Sequence, residues 1–350
     1  MNLEDKDIDT IHDEDELIEH FRFIVDKGQS PLRIDKFLTE KIPNVSRNKI
    51  QQAATAENIL VNDKVVKSNY KIKGNDIIRV VMPEPKWDYT VQPENIPLDI
   101  IYEDDDIMVI NKPAGMVCHP GHGNYTGTLV NALLWHCKDL PNVNGDIRPG
   151  LVHRIDRYTS GLMVIGKTEL ALNHLAKQFF DRTIDRKYIA LAWGDVDEDK
   201  GRIEGNIARN PNNRKIFYVD VDGLEGKPAA TNYEVIKRYS FVTLVECKLE
   251  TGRTHQIRVH LKYIGHTIFG DVIYGGDQIR KGTVYTKYKQ FIDNCLQLMP
   301  HQALHAKSLG FIHPTNKQKM YFEQALPENF TQLLEKWDRY SGSLQNQAES

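Results

Sequence analysis

The segment HRIDRYTSGL, residues 153–162, runs directly into the apolar stretch MVIGKT. It places one carboxylate, Asp156, between Arg154 and Arg157 and then passes through Thr-Ser-Gly, residue types that favour a turn. The apolar stretch that follows has the length and composition of a buried strand. Asp156 is therefore predicted at the entrance of a core strand, where it serves either as a functional acid or as half of a structural Asp–Arg pair.

Further strand-like runs follow this one through the larger part of the chain, among them DIMVINKPA, RKYIALAWG, TNYEVIKRY, FVTLVECKLET and SLGFIHP. Helical patterns interrupt them in four places: GTLVNALLWHC, ELALNHLAKQFFD, RTHQIRVHLKYIG and PENFTQLLEKWDRY. The strands often follow one another without a crossover helix, which is typical of antiparallel pairing. The predicted fold is α+β, with a mixed, largely antiparallel sheet in the larger domain.

A small α/β module is predicted near the N-terminus. PLRIDKFLTEKI has helical spacing of its apolar residues, Ser46 is a suitable N-cap for a second helix, and the strands NILVNDKVV and DIIRVVM follow. The predicted segments are an acidic disordered tail (1–21), the small module (22–85), a proline-bearing linker (86–95), the larger domain (96–335) and a polar C-terminal tail (336–350).

Composition and charge place the protein in a broad class. The net charge is −3, but the first twenty residues hold nine acids against one lysine, so the rest of the chain is mildly basic, at about +5. No run of 18 apolar residues occurs, and the acidic N-terminus is unlike a signal peptide. Four scattered cysteines are too few for a disulfide framework. We expect a cytoplasmic protein whose basic part is compatible with RNA contact.

A dense basic segment, TGRTHQIRVHLKYIG, occupies residues 251–265. If it is helical from Thr254, Ile257 and Leu261 share a core-facing stripe, and Arg258 lies beside that stripe. A buried arginine requires a carboxylate partner, since an unpaired charge in a low-dielectric site is costly. Asp156 is a candidate for that partner, although a solvated charged helix face is the alternative reading.

A metal site is the other chemistry that the sequence raises, because Cys118, His119, His122, His136 and Cys137 lie within twenty residues. Their spacing is not a common zinc arrangement, and adjacent ligands seldom chelate one ion. No phosphate-binding glycine motif occurs. We therefore assign neither a metal nor a nucleotide cofactor.

Four ordered motifs make the resemblance to a family specific. HRIDRYTSGL resembles the catalytic signature of the RluA-type (RluD-like) pseudouridine synthases, with Ile155 in place of leucine. NKPAGMVCHP, RKYIALAWG and GRTHQIRVHL resemble three further motifs of that family, and GDVIYGG and LHAKSLGFIHP its C-terminal markers. Thr267 stands where the family usually has proline. The small module resembles the RNA-binding domain named after ribosomal protein S-four, and the similarity spans about residues 22–330.

The resemblance implies a function and a role for each site residue. The implied reaction, isomerisation of uridine to pseudouridine by a cofactor-free enzyme, has large-subunit ribosomal RNA as its expected substrate. Asp156 is implied to be the catalytic acid, Arg258 its partner, Tyr188 a stacking residue for the uracil and Arg154 the wedge that fills the space of the flipped base. Arg157 occupies a variable position that we expect to meet solvent or phosphate.

Further residues are predicted to bind the RNA. Those expected near the substrate are Arg253, His255 and Leu304; those on the polar faces of the small module's two helices are Arg33, Lys36, Arg47 and Lys49. A scaffold role for the module stays open, as does a different class of function for the whole chain: a catalytically inactive RNA-binding protein acting in ribosome assembly. A metal-dependent hydrolase that uses the cluster from Cys118 to Cys137 is the third alternative.

Overall fold

A computed structural model describes residues 18–42, 45–82, 91–121, 124–141, 148–211, 213 and 215–348. The chain forms two compact units that divide close to residue 90. None of the helices in these ranges is long and apolar enough to cross a membrane. Outside the described ranges lie His122, the first 17 residues and residues 83–90, which contain the whole first half of the predicted linker.

The first unit contains a four-stranded antiparallel sheet in the order β1-β4-β2-β3 and two helices. Ser46 caps α2 as predicted, because its side chain accepts a hydrogen bond from the Lys49 amide. Ile34, Leu38 and Ile78 lie in the core of this unit. Its elements are β1 (Ile18–Ile24), α1 (Ile34–Lys41), α2 (Arg47–Thr55), β2 (Ile59–Val61), β3 (Lys64–Val65) and β4 (Ile77–Met82).

The predicted boundary at residue 22 is wrong, because β1 begins at Ile18 and pairs along its length with β4. Phe21 and Phe23 alternate along β1 and pack against the core, while Glu19 forms an ion pair with Arg79 across the two strands. The acidic composition of the N-terminus concealed this short strand. The charge of Glu19 is compensated by Arg79 only once β4 lies beside β1.

The second unit is built on a ten-stranded sheet in the order β10-β9-β11-β12-β8-β13-β7-β6-β5, with β14 added to β13. Every pairing is antiparallel except that of β13 with β7. The predicted mixed, largely antiparallel α+β sheet is confirmed. Its strands are β5 (Ile100–Glu103), β6 (Ile107–Lys112), β7 (Ser160–Gly166), β8 (Asp185–Trp193), β9 (Lys200–Arg209), β10 (Phe217–Asp220), β11 (Lys227–Arg238), β12 (Val242–Leu249), β13 (Leu304–Ile312) and β14 (Lys319–Glu323).

The helices of this unit include the four that the sequence indicated and one that it did not, α6. Apolar spacing in α6 brings Tyr288, Ile292 and Cys295 into the core. The helices are α3 (Leu129–His136), α4 (Glu169–Phe180), α5 (Gln256–Tyr263), α6 (Thr286–Leu298) and α7 (Glu328–Ala348).

Two predicted boundaries of the larger domain also need correction. Residues 91–95, placed in the linker, belong to the second unit: the amide of Glu94 and the carbonyl of Gln92 bond to Asn131 of α3. The expected polar tail over residues 336–350 is largely the continuation of α7. Trp337 of this helix is fully buried and packs edge-on against Trp193, which anchors α7 to the sheet.

The glycine of the segment HRIDRYTSGL, Gly161, is required because two strands approach each other closely at this position. Gly161 lies at the start of β7 with φ +114°, and a Cβ there would lie 2.3 Å from the carbonyl oxygen of Ala306 on β13. The parallel register pairs Gly161 with Ala306. This close approach fixes where the preceding loop, including Asp156, leaves the sheet.

Candidate active site and RNA-binding surface

A cavity of about 420 Å³ opens where the loop before β7 meets the entry of α5. All seven residues predicted to be catalytic or substrate-binding line this one cavity: Arg154, Asp156, Tyr188, Arg253, His255, Arg258 and Leu304. They come from four separate parts of the chain. The structure therefore brings the predicted site together, and the roles of its members remain predictions.

Asp156 and Arg258 form the ion pair at the base of the site. Asp156 Oδ2 accepts a hydrogen bond from Arg258 Nη1 at 3.0 Å, and the arginine side chain is only 4% exposed. Arg258 also donates from Nε and Nη2 to the two oxygens of Asp271, at 2.7 and 2.9 Å. Because this fork is bidentate, Asp271 fixes the guanidinium plane and leaves the Nη1 nitrogen to donate to Asp156.

The sequence reasoning missed Asp271, although the residue lies in the marker GDVIYGG. Its side chain is 1% exposed. Asp271 and Arg258 are therefore both buried charges, and each would be costly without the other as its partner. The amide of Tyr274 also donates to Asp271, and the ring of Tyr274 lies 5.0 Å from the Arg258 guanidinium carbon. Arg258 is thus held from one side by charge and from another by an aromatic face.

The Asp156 carboxyl group is kept ionised. Burial favours the neutral acid and by itself would raise the pKa of Asp156. At the acidic pH where this carboxyl group would titrate, His255 is protonated, and its positive charge together with the charge and hydrogen bond of Arg258 outweighs this effect and holds the pKa of Asp156 below its usual value of 3.8. A carboxylate is therefore available in the cavity at neutral pH.

His255 interrupts the helix that the sequence placed from Thr254. Its φ is +53°, in the left-handed region, so α5 begins only at Gln256. Gln256 fixes the turn by accepting hydrogen bonds from the Thr251 hydroxyl and the Arg253 amide. His255 itself is bonded to the Tyr274 hydroxyl at 2.9 Å, and burial lowers its pKa to about 4, which makes it neutral at pH 7.

Tyr188 and Leu304 form part of the cavity wall from adjacent strands, β8 and β13. Both are at least nine-tenths buried. Burial raises the pKa of Tyr188, so the phenol stays protonated. A flat, neutral ring and an aliphatic side chain offer the surfaces against which a planar base packs.

The loop that carries Asp156 is anchored by groups that the sequence reasoning did not select. Lys112, fully buried at the end of β6, donates to the carbonyls of Pro113, Met116 and Arg157 at 2.8–2.9 Å. Burial lowers its pKa to about 8. Arg157, expected to meet only solvent or phosphate, instead donates from Nε to the carbonyl of Gly115 at 3.1 Å.

His153 anchors the other end of the same loop. Its Nε2 accepts a hydrogen bond from the amide of Val164, and its ring stacks on Phe179 of α4 with centroids 4.5 Å apart. Burial lowers the pKa of His153 to about 3, so it is neutral and able to accept. The loop is therefore fixed both to β7 and to the C-terminal end of α4.

The candidate metal ligands do not converge as one group within the described part of the chain. The thiol of Cys118 donates to the carbonyl of Ile155 in the core. His136 and Cys137 have ligand atoms close to those of Glu103, but Glu103 is engaged by Lys167 at 2.8 Å and by His136 at 2.9 Å. A lysine ammonium at this carboxylate disfavours a cation there.

In the first unit, a buried carboxylate organises two of the predicted RNA-binding residues. Asp35 is fully buried and accepts hydrogen bonds from Arg33, Arg47 and Gln51. Burial tends to raise the pKa of Asp35, but these hydrogen bonds hold it well below its usual value. The two guanidinium groups, 40% and 45% exposed, are thereby fixed beside each other.

Lys36 and Lys49 are exposed on the same two helices, α1 and α2. The four predicted RNA-binding residues thus share one pair of helices. Two of them have fixed orientations, which lowers the entropy lost when they contact phosphates.

Sequence and structure comparisons agree with these features. Residues 106–263 match the RNA pseudouridylate synthase family, and residues 32–78 match the S4 domain. These two matches define an RNA-directed enzyme. An uncharacterized RNA pseudouridine synthase of Chlorobaculum parvum is 46% identical over 315 residues, which cover 89% of this chain and 96% of the relative. The chain therefore belongs to the RNA pseudouridylate synthase family, and it is an isomerase.

Other relatives carry more specific names. The ribosomal large subunit pseudouridine synthase D of Neisseria meningitidis is 42% identical over 303 residues, with 86% of this chain and 78% of the relative covered. The solved structure of the human RNA pseudouridylate synthase domain containing 4 protein superimposes with a TM-score of 0.53, covering 69% of this chain and 93% of its own, at 24% identity. The last comparison supports the fold alone.

Proposed function

We propose that this protein converts specific uridines of large-subunit ribosomal RNA to pseudouridine, with Asp156 as the catalytic residue. The observation that carries the proposal is the ionised Asp156 paired with Arg258 inside a cavity that Tyr188 also lines. Relatives named ribosomal large subunit pseudouridine synthase D, 40–42% identical, support the substrate class. An inactive assembly protein is not favoured, because the acid, the arginine and the tyrosine are all present. A cytoplasmic location follows from this substrate.

The reaction breaks the bond between ribose C1′ and uracil N1, turns the base and joins C1′ to uracil C5. Asp156 acts at the sugar, either as a nucleophile at C1′ or as a base at C2′. The proton on C5 leaves once the new carbon–carbon bond has formed, and N1, released from the sugar, carries a proton in the product. Reactant and product are isomers, so no oxidant, reductant or group donor is consumed.

The surrounding residues hold the flipped uridine and its detached base. Arg154, exposed on the same loop as Asp156, fills the space that the base leaves in the RNA stack. The ring of Tyr188 stacks on the uracil while the base turns. Leu304 packs against another side of the same base. Arg253 and His255, at the entry of α5, contact the backbone and sugar of the same nucleotide.

The proposal is tested by mapping pseudouridines across all cellular RNA, ribosomal and transfer RNA included, in cells that lack this protein. One or more large-subunit positions should lose the modification and regain it when the wild-type gene is restored. A complete and unchanged pseudouridine map would refute the substrate class. Loss confined to transfer RNA would keep the reaction and replace the substrate.

The first unit is expected to supply phosphate contacts, which predicts a change in salt dependence. In the variant Lys36→Gln/Lys49→Gln, the slope of log affinity against log salt should decrease by roughly 1.4–1.8, since each phosphate contact releases condensed counterions. Filter binding of a large-subunit RNA transcript between 50 and 300 mM salt, about the usual working range, measures it. These lysines are preferable to Arg33 and Arg47, whose removal would also strip buried Asp35 of its partners.

A matched control removes the same charge outside the two helices. Lys64→Gln/Lys67→Gln changes two lysines of the same unit that lie beyond α2. If both double variants lower the slope equally, general charge and not this helix pair determines RNA affinity.

A further inference from the structure

Phe180, the last residue of α4, is 85% exposed and lines the cavity. Its neighbour Phe179 also lines the cavity, but its ring is partly buried and stacks on His153. The buried positions of α4, Ala171, Leu172 and Leu175, form its core stripe, and Phe180 lies outside that stripe. An exposed phenyl ring at the rim of a polar cavity does not serve the packing of the helix.

The position of Phe180 relative to Asp156 is fixed by the contacts of Phe179. The ring of Phe179 lies between His153 and the guanidinium of Arg186, whose central carbon is 5.2 Å from the ring centroid. His153 lies three residues before Asp156 and is bonded to β7. The end of α4 is thus attached to the loop that bears the catalytic carboxylate, so Phe180 is presented at a set place on the rim.

The charge around this rim fits a polyanion. Besides Arg258, which is paired with Asp156 and Asp271 at the base of the site, four of the lining residues are arginines, and Asp156 is the only carboxylate among the lining residues. Arg182, two residues after Phe180, is exposed and has φ +59°. At such a helix end an arginine in the left-handed backbone region costs about 1 kcal/mol more than a glycine would. The side chain of Arg182 therefore accounts for the residue type at this position.

We propose that Phe180 and Arg182 form a second nucleotide subsite, for the nucleotide next to the target uridine. This inference rests on the proposed function. Flipping a uridine into the cavity removes a stacking partner from the adjacent base. The flipped base has two neighbours: Arg154 fills the gap beside one of them, the exposed ring of Phe180 stacks on the other, and Arg182 contacts the phosphate that joins this second neighbour to the uridine. Aromatic side chains stack on any base, so the subsite positions the strand without selecting one sequence.

The test is turnover of a large-subunit ribosomal RNA transcript labelled with tritium at uracil C5, from which pseudouridine formation releases tritium. In the full-length variant Phe180→Ala, KM should rise at least about fivefold while kcat changes less than twofold, since stacking of one base is worth roughly 1–3 kcal/mol. Phe180→Trp should keep the wild-type KM. Phe180→Leu should behave like Phe180→Ala, because leucine is apolar but has no π face.

A matched control lies on the same helix. Leu170 is 56% exposed on α4 and does not line the cavity, so Leu170→Ala should leave both constants unchanged. A wild-type KM in Phe180→Ala, or full rescue by leucine, would overturn the proposal while the wild-type turnover keeps the proposed function intact. Absence of tritium release from the wild-type protein would instead refute the proposed function.

Discussion

The variant Asp156→Asn should form pseudouridine at least about 10⁴-fold more slowly than the wild-type protein, while its RNA affinity changes less than about tenfold. Asparagine has the shape of aspartate and still offers an oxygen to Arg258 Nη1, so the loop stays in place. It is neutral, however, and neither attacks C1′ nor removes a proton. RNA affinity depends mainly on phosphate contacts, which this substitution leaves unchanged. Tritium release and filter binding measure the two quantities on one RNA.

A control for the loss of charge is available at the same arginine. Asp271→Asn removes one negative charge from Arg258, but Asp271 does not line the cavity. It should retain turnover reduced by about 10–100-fold, because Arg258 is less well oriented. If Asp156→Asn turns over as fast as Asp271→Asn, Asp156 is not the group that acts at the sugar.

The second prediction concerns the ionisation of Asp156. Replacing Arg258 by glutamine removes the adjacent positive charge and its hydrogen bond, and should raise the pKa of Asp156. The ionised carboxylate is the active form, so activity falls as the pH drops through this pKa. In the wild type the pKa lies below 3.8, and kcat/KM should be insensitive to carboxyl protonation down to about pH 5. The variant should begin to lose activity at a higher pH than the wild type does.

Arg258→Gln alone is a poor test, because it leaves Asp271 buried and unpaired at a cost of roughly 3–5 kcal/mol in the free energy of unfolding. The double variant Arg258→Gln/Asp271→Asn leaves a pair of amides that can hydrogen-bond. In denaturant unfolding it should recover most of the lost free energy of unfolding. Its kcat/KM should still fall at a higher pH than that of the wild type. A folded double variant with the wild-type pH profile would show that Arg258 does not control the charge on Asp156.

The sequence was most informative where local pattern and chemistry coincided. The apolar run after Asp156 predicted β7, the scarcity of crossover helices predicted the largely antiparallel sheet, and Ser46 predicted the start of α2. Boundaries were less predictable. β1 and the end of α7 look polar in isolation and become ordered through Arg79 and through the pocket around Trp337.

By itself, the sequence determined several of the core strands and most of the helices, that Asp156 lies at the entrance of a core strand, and that a buried arginine at position 258 would need an acid. Only the tertiary structure decided how these charges are shared. Asp156 and Arg258 are 102 residues apart and meet because β7 and α5 both begin at one cavity. Asp271 accepts two hydrogen bonds from the guanidinium group, whereas Asp156 accepts one. The same holds for Phe180, whose exposed ring lines the cavity while the ring of its neighbour Phe179 stacks on His153. Such contacts depend on burial and distance between remote segments, which no local spacing in the chain records.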